Sequence, residues 1–404
     1  MRRLVDAVCP PRLGRDFRFL LASSWATNLA DGISLAAGPL LVASATSNPL
    51  LVAMAALLQR LPWLLFGLYA GVVADRVDRR RLVAAVDAAR AMVLAVLAVT
   101  VMTGAVNVAV VLAAMFLIGT AEVFADVTSS TLLPMVVPQN DLGVANARLM
   151  TGPMVLNELI GPPLGAALFA LAQWGAVSVQ AATVALGAAC ISRMAATRPE
   201  RHDADAPMRQ QVREGLRWLW GHRPMRTLAI TVLAFNITFG AAWAVLVLLA
   251  KQRLGLGPVG FGLLSVASAV GGLAGMAAYE RLERRIGAGW IMRAGLVVET
   301  VTHLTLAITT LPLVAGAILF CFGVHTAAWG ATSNAVRHRS VPTELQGRVG
   351  SIYLLGMMGS LVVGSAVGGV TANVWGVTAP FWFAFVGSLL ILLAIWRELA
   401  RIAD

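Results

Sequence analysis

The chain has 404 residues, 58% of them hydrophobic and only 13% charged, with a mean hydropathy of +0.79. That balance excludes a soluble core as the main architecture and points to lipid as the solvent. The net charge of +11 would suggest nucleic acid in a soluble protein, but in a membrane chain it must first be sorted by side of the bilayer.

A crossing helix needs about 20 mainly apolar residues. Twelve stretches meet that length: 17–44, 50–74, 82–103, 107–128, 143–171, 176–196, 225–250, 260–280, 289–310, 313–335, 346–372 and 380–396. The first is too long for a signal peptide and no small-residue cleavage pattern follows it, so it is read as a retained span. With the N-terminus inside, 28 of the 31 Lys and Arg fall at or near cytoplasmic ends, Arg90 among them. Only Lys251 and Arg253 fall outside, and Arg60 lies within a span. The asymmetry predicts both termini on the cytoplasmic side and makes nucleic acid an unnecessary partner.

Taken in chain order, the first span holds Trp25, Asn28 and, midway, Asp31; the second holds Arg60 midway. Ionisable side chains at such depth cost at least ~2.5 kcal/mol each on insertion scales, so each is read with a partner and a role. Antiparallel neighbours would set Asp31 and Arg60 at similar depth. They are expected either to neutralise one another or to act together, Asp31 exchanging a proton or touching substrate while Arg60 tunes it. The turn after the second span reads Gly71-Val-Val-Ala-Asp75-Arg76-Val-Asp78-Arg79-Arg80-Arg81. Glu122 and Asp126 are four apart and share one face of the fourth span. Glu158 is midway along the fifth, and Glu122 and Glu158 are expected to perturb each other enough to bind a proton reversibly. The fifth span continues as Gly161-Pro162-Pro163-Leu-Gly165, and Gly-Pro in mid-membrane is tolerated where packing or a cavity compensates the freed backbone.

The segment 197–224 is the longest polar stretch and divides the chain into bundles at 1–196 and 225–404. Its second part sets Val212, Leu216 and Leu219 at helical spacing beside Trp218 and Trp220, which predicts an interfacial amphipathic helix against anionic headgroups. Beyond it, Asn236, Trp243 and Trp329, with Trp25 and Asn28 from the first half, are candidates to line a polar-aromatic pocket. Glu299 and His303 share a face of the ninth span, and His325 lies in the tenth as a further proton or substrate candidate. Cys9, Cys190 and Cys321 lack metal-ligand spacing and read as apolar filler, so no metal or cofactor is expected.

Three features repeat with nearly one step. Asp75 to Arg80 returns 205 positions later as Glu280-Arg281-Leu-Glu-Arg284-Arg285; Val137-Pro138 returns as Val341-Pro342; and Gly161/Gly165 returns as Gly364/Gly368. Repeating halves with charged turns between apolar spans are the sequence form of a secondary transporter built from two related bundles.

The turn at 71–81 resembles motif A of the major facilitator superfamily, with Asp78 where a Gly is usual, and Gly161-Pro162-x-x-Gly165 resembles the end of motif C of its drug–proton antiporters. Asp16-Phe17-Arg18-Phe19-Leu20 together with 71–82 resembles the multidrug and siderophore (enterobactin-exporter-like) efflux branch. The resemblance implies an all-α polytopic fold of two six-helix bundles in a bacterial inner membrane. It also implies a cytoplasmic latch in which Asp75, Arg76, Arg79 and Arg80 act with Asp126, and a ninth span outside the central cavity, which leaves Glu299 and His303 a local hydrogen-bonding role. The expected function is proton-coupled export of lipophilic or cationic drugs, or of a metabolite such as a siderophore, by a monomer working through alternating access. Asp31, Glu122 or Glu158 would carry the proton. An importer or proton symporter on the same fold is the first alternative. A membrane sensor or enzyme is the second, although no paired catalytic motif, phosphate loop or extramembrane domain supports it.

Overall fold

A computed structural model of the chain describes residues 10–195 and 208–399. Among the described residues it is helical throughout. The membrane-length helices are α1 (Gly14–Ala45), α2 (Pro49–Arg76), α3 (Arg79–Met102), α4 (Val108–Ser129), α5 (Gln139–Leu171), α6 (Gln173–Ser192) and, after a shorter α7 (Met208–Gly221), α8 (Arg223–Gln252). The next helical run, Pro258–Ile308, is broken at Gly287, where φ is +76° and ψ 159°, into α9 (258–286) and α10 (288–308). It is followed by α11 (Pro312–Ser340), α12 (Thr343–Trp375) and the shorter apolar α13 (Ala379–Ile395). Setting α7 aside, these helices correspond one to one with the twelve apolar stretches.

The chain divides into two compact units, residues 1–46 with 61–203, and 47–60 with 204–404. In the first, α1 packs on α5 and α6, and α3 packs on α4 and α6. In the second, α8 packs on α12 and α13, and the α9–α10 run packs on α11 and α13. The same partner choice in both halves is the structural content of the repeat.

Lipid tails are as apolar as leucine, so helices in a bilayer associate through close backbone approach at small residues. Gly161 and Gly165 of α5 lie directly against the backbones of Gly32 and Ile33 of α1, and Gly364 and Gly368 of α12 lie against Ile237 and Ala241 of α8. Val137 and Val341 are both buried, and Pro138 and Pro342 each precede a single 3₁₀ turn, Gln139–Asp141 and Thr343–Leu345. These two repeated pairs therefore do the same work in each half.

The charged pair does not. In the first half the chain leaves α2 at Arg76, and Asp78 caps α3 by accepting the Arg81 amide at 3.0 Å. This explains the Asp where Gly is usual, since its φ of −61° needs no glycine. In the second half Glu280–Arg285 lie inside α9, which continues to residue 286, and the break falls at Gly287. The expected charged turn after the eighth span is thus corrected to a helical segment. The backbone at Gly287 is a conformation open essentially to glycine alone, and that sets where the helix ends.

The amphipathic α7 is also placed differently from expectation. It docks on α12: Glu214 bridges Arg348 at 2.6 Å, Gly215 meets Ile352 and Arg348, and Leu219 turns into the core. Only Leu216 and Trp220 keep substantial apolar exposure. The start of the 197–224 segment lies outside the described residues.

Candidate functional site

The first bundle gathers ionisable groups at depth. Arg90 sits in the third span, about 16 Å from its start at 1.5 Å per residue, with its side chain only 3% exposed. It donates to Asp31 of α1 and lies 3.9 Å from Glu122 of α4. Asp87, one turn before Arg90 on the same face of α3, is buried with its Oδ1 unpartnered among the described residues. Asp126 lies one turn beyond Glu122, near the end of α4, and is exposed. Asp31 and Glu122 therefore meet one guanidinium inside the spans, with Asp87 buried one turn away. A guanidinium presents several fixed N–H donors, which suits it to hold carboxylates from different helices at once.

Several expectations change here. Asp31 takes Arg90 as a partner, and Arg60 belongs to the part of α2 that clusters with the second unit. Arg90 is not a cytoplasmic anchor, and Asp87 was not singled out at all. The signal for both was present as Asp87-Ala-Ala-Arg90 within an apolar run. Their spacing of three places them on one helix face. Glu122 meets Arg90 instead of Glu158. Glu158 stands apart on α5, exposed in the π-helical stretch Gly152–Ile160. Such a local widening is frequent at functional sites, and here it runs up to the glycine contact with α1 beside Asp31.

At the end of α2, Arg79 holds Asp75 at 2.9 Å and reaches the Ala74 carbonyl and Met135 Sδ. Arg80 donates to the carbonyls of Met194 at 2.7 Å and Ser192, tying α3 to the end of α6. Arg76 is exposed, and a side chain at Gly71 would meet nothing within 4 Å. In the second copy Glu280 and Arg284 pair at 3.1 Å on an exposed helix face, with Arg281 and Arg285 exposed beside them.

Trp25 donates to the Arg148 carbonyl at 3.4 Å, and with Asn28 it packs on Gly152, so both belong to the contact between α1 and α5. In the second bundle a cavity of about 170 Å³ is walled by Phe235, Asn236, Phe239, Phe322 and Trp329, with Glu299 and His325 at its edge. Glu299 lies 3.4 Å from His325 Nε2 and 3.9 Å from His303 Nε2. Glu299 therefore lines a cavity, which corrects its purely local role. Trp243 stacks on Phe239 and Phe322 behind that wall and meets His303 edge-on.

The chain belongs to the transmembrane secretion effector family of major facilitator transporters, whose model matches residues 8–402. It is a polytopic membrane transporter and not an enzyme. It is 27% identical over 385 residues to the multidrug efflux pump Tap of Mycolicibacterium fortuitum, covering 90% of each chain. It is 22% identical over 363 residues to macrolide efflux protein A of Streptococcus pyogenes, covering 87% of each. In fold it is similar to the nucleoside transporter NupG, with a TM-score of 0.78 at 11% identity over 96% of this chain and all of that one. A bacterial homologue of the iron transporter ferroportin matches with a TM-score of 0.73 at 18% identity, over 96% of this chain and 99% of that one.

Proposed function

We propose that the protein exports lipophilic cationic small molecules in exchange for protons, by alternating access. The observation that carries this reading is the surplus of carboxylates around Arg90. One guanidinium balances one carboxylate, and keeping Asp87, buried with its Oδ1 unpartnered among the described residues, ionised beside it is too costly for a stable fold. The remaining negative charge is balanced either by protons or by a bound cation, and two alternative ways of neutralising one site are what an antiporter needs. α1, which carries Asp31, meets α5 at small residues, the kind of contact at which helices shift as rigid bodies. The names of the two efflux relatives agree with outward transport of drug-like compounds. The weight of Lys and Arg at one set of helix ends supports termini on the cytoplasmic side of a bacterial plasma membrane.

The test is accumulation of a fluorescent cationic dye in energised inside-out vesicles containing the protein, before and after a protonophore. Accumulation that collapses with the gradient supports proton-driven export. No accumulation above empty vesicles refutes cation export, and accumulation only in right-side-out vesicles would mark an importer.

A further inference from the structure

The second bundle has a polar core of its own at the counterpart of the first. Asn236 stands 205 positions after Asp31, the same step as the charged repeat, and in place of Arg90 and its acids the helices α10 and α11 bring Glu299, His303 and His325 together. Glu299 is 9% exposed at the side chain and His303 is fully buried. Both ring nitrogens of His303, Nδ1 of His325 and Nε1 of Trp329 are buried without a hydrogen-bond partner among the described residues. The three ionisable groups are not arranged to hold a metal ion.

We propose that Glu299 binds the ammonium head of a lipophilic amine seated in the aromatic cavity, and that a proton on the His303–His325 pair competes with that ammonium for the same carboxylate. A buried carboxylate needs one cation. Among the described residues the ionisable groups that face it are the two imidazoles: α11 brings His325, α8 brings Asn236 across the cavity, and α13 carries no ionisable side chain. The faces of Phe235, Phe239, Phe322 and Trp329 add cation–π attraction. Size narrows the class. A cavity of about 150 Å³ holds benzene, so about 170 Å³ fits a single ring with a small onium head. Neutral imidazoles leave Glu299 to the ligand, whereas a protonated imidazole satisfies it internally.

Benzyltrimethylammonium has one ring and a permanent charge, so any pH dependence of its binding belongs to the protein. Equilibrium dialysis against the purified full-length protein in detergent measures its Kd at pH 8 and pH 5.5. The expected result is binding at pH 8 that weakens about tenfold or more at pH 5.5. Glu299→Gln should weaken binding at pH 8 by about thirtyfold, the scale of a charge-assisted contact away from water. His325→Asn and His303→Asn should flatten the pH dependence, bringing the ratio of Kd at pH 5.5 to Kd at pH 8 towards one. Wild-type binding that does not change with pH, full affinity in Glu299→Gln, or loss in Asp31→Asn with Glu299→Gln unaffected would each overturn the proposal. If Glu299→Gln does not fold, the wild-type pH profile and the two histidine variants decide. Dialysis involves no gradient and no transport, so its failure is distinct from a failure of proton-driven export.

Discussion

Replacing Arg90 with Gln removes the only cation from the first bundle's cluster while nearly preserving length and polarity. The 3.9 Å contact with Glu122 alone corresponds to about 4 kcal/mol of Coulomb attraction at an effective dielectric of about 20. The hydrogen-bonded contact with Asp31 adds to it, and relief of the arginine's own desolvation offsets part of the sum. Breaking a buried pair by removing one partner costs about 3–5 kcal/mol, because the other charge is left uncompensated. We therefore expect Arg90→Gln to destabilise by that amount. Asp31→Asn should cost less, since Glu122 still contacts Arg90 and Asp87 lies one turn away. The double variant should cost about 2 kcal/mol less than the sum of the singles, as expected for residues sharing one network. Reversible unfolding in mixed micelles by SDS titration, followed by tryptophan fluorescence, measures all three. Additivity within about 0.5 kcal/mol, or an Arg90→Gln stability equal to wild type, would refute the cluster as an energetic unit.

Gly161→Ala places a Cβ inside the backbone of Gly32 and 2.7 Å from the Leu156 carbonyl oxygen, so the same titration should show a loss at or above the upper end of the roughly 1–3 kcal/mol typical of overpacking. Gly143→Ala, where a Cβ meets nothing within 4 Å, should be neutral or stabilising by up to about 1 kcal/mol. Gly287→Ala, at the φ of +76° that separates α9 from α10, should cost about 1–3 kcal/mol in backbone strain; an unchanged midpoint would mean that the break is not held by the glycine.

Much of the architecture was legible because lipid imposes a simple rule: apolar length marks a crossing, and small residues mark where crossings touch. The glycine pairs and the Val-Pro pairs kept both their spacing and their structural role, since each reports a local backbone need. The charged repeat misled because a string of acids and arginines fits a turn and an exposed helix face equally well; Gly287, a single residue, decided between them. The ion cluster was only half visible. Depth along the chain identified Asp31 and Glu122, but partner choice depends on how each helix is rotated about its axis, which spacing within one helix does not report. Hence the contact of Arg90 with both Asp31 and Glu122 is not readable from spacing. Arg90 was lost for a different reason. Counting arginines by nearness to a helix end absorbed it into the basic flank, although Asp87 one turn earlier signalled a buried face. Glu299 was set aside on the resemblance alone, and the structure places it at the wall of a cavity.

The most direct test of the account is gradient-driven accumulation of a cationic dye in proteoliposomes with an imposed pH difference, comparing wild type with Asp31→Asn, Asp87→Asn, Glu122→Gln and Asp126→Asn, alongside downhill exchange of the same dye without a gradient. The account predicts that at least one of these neutralisations abolishes uphill accumulation while downhill exchange persists. Uphill accumulation at the wild-type level in all four would contradict it and remove the Arg90 cluster from proton coupling.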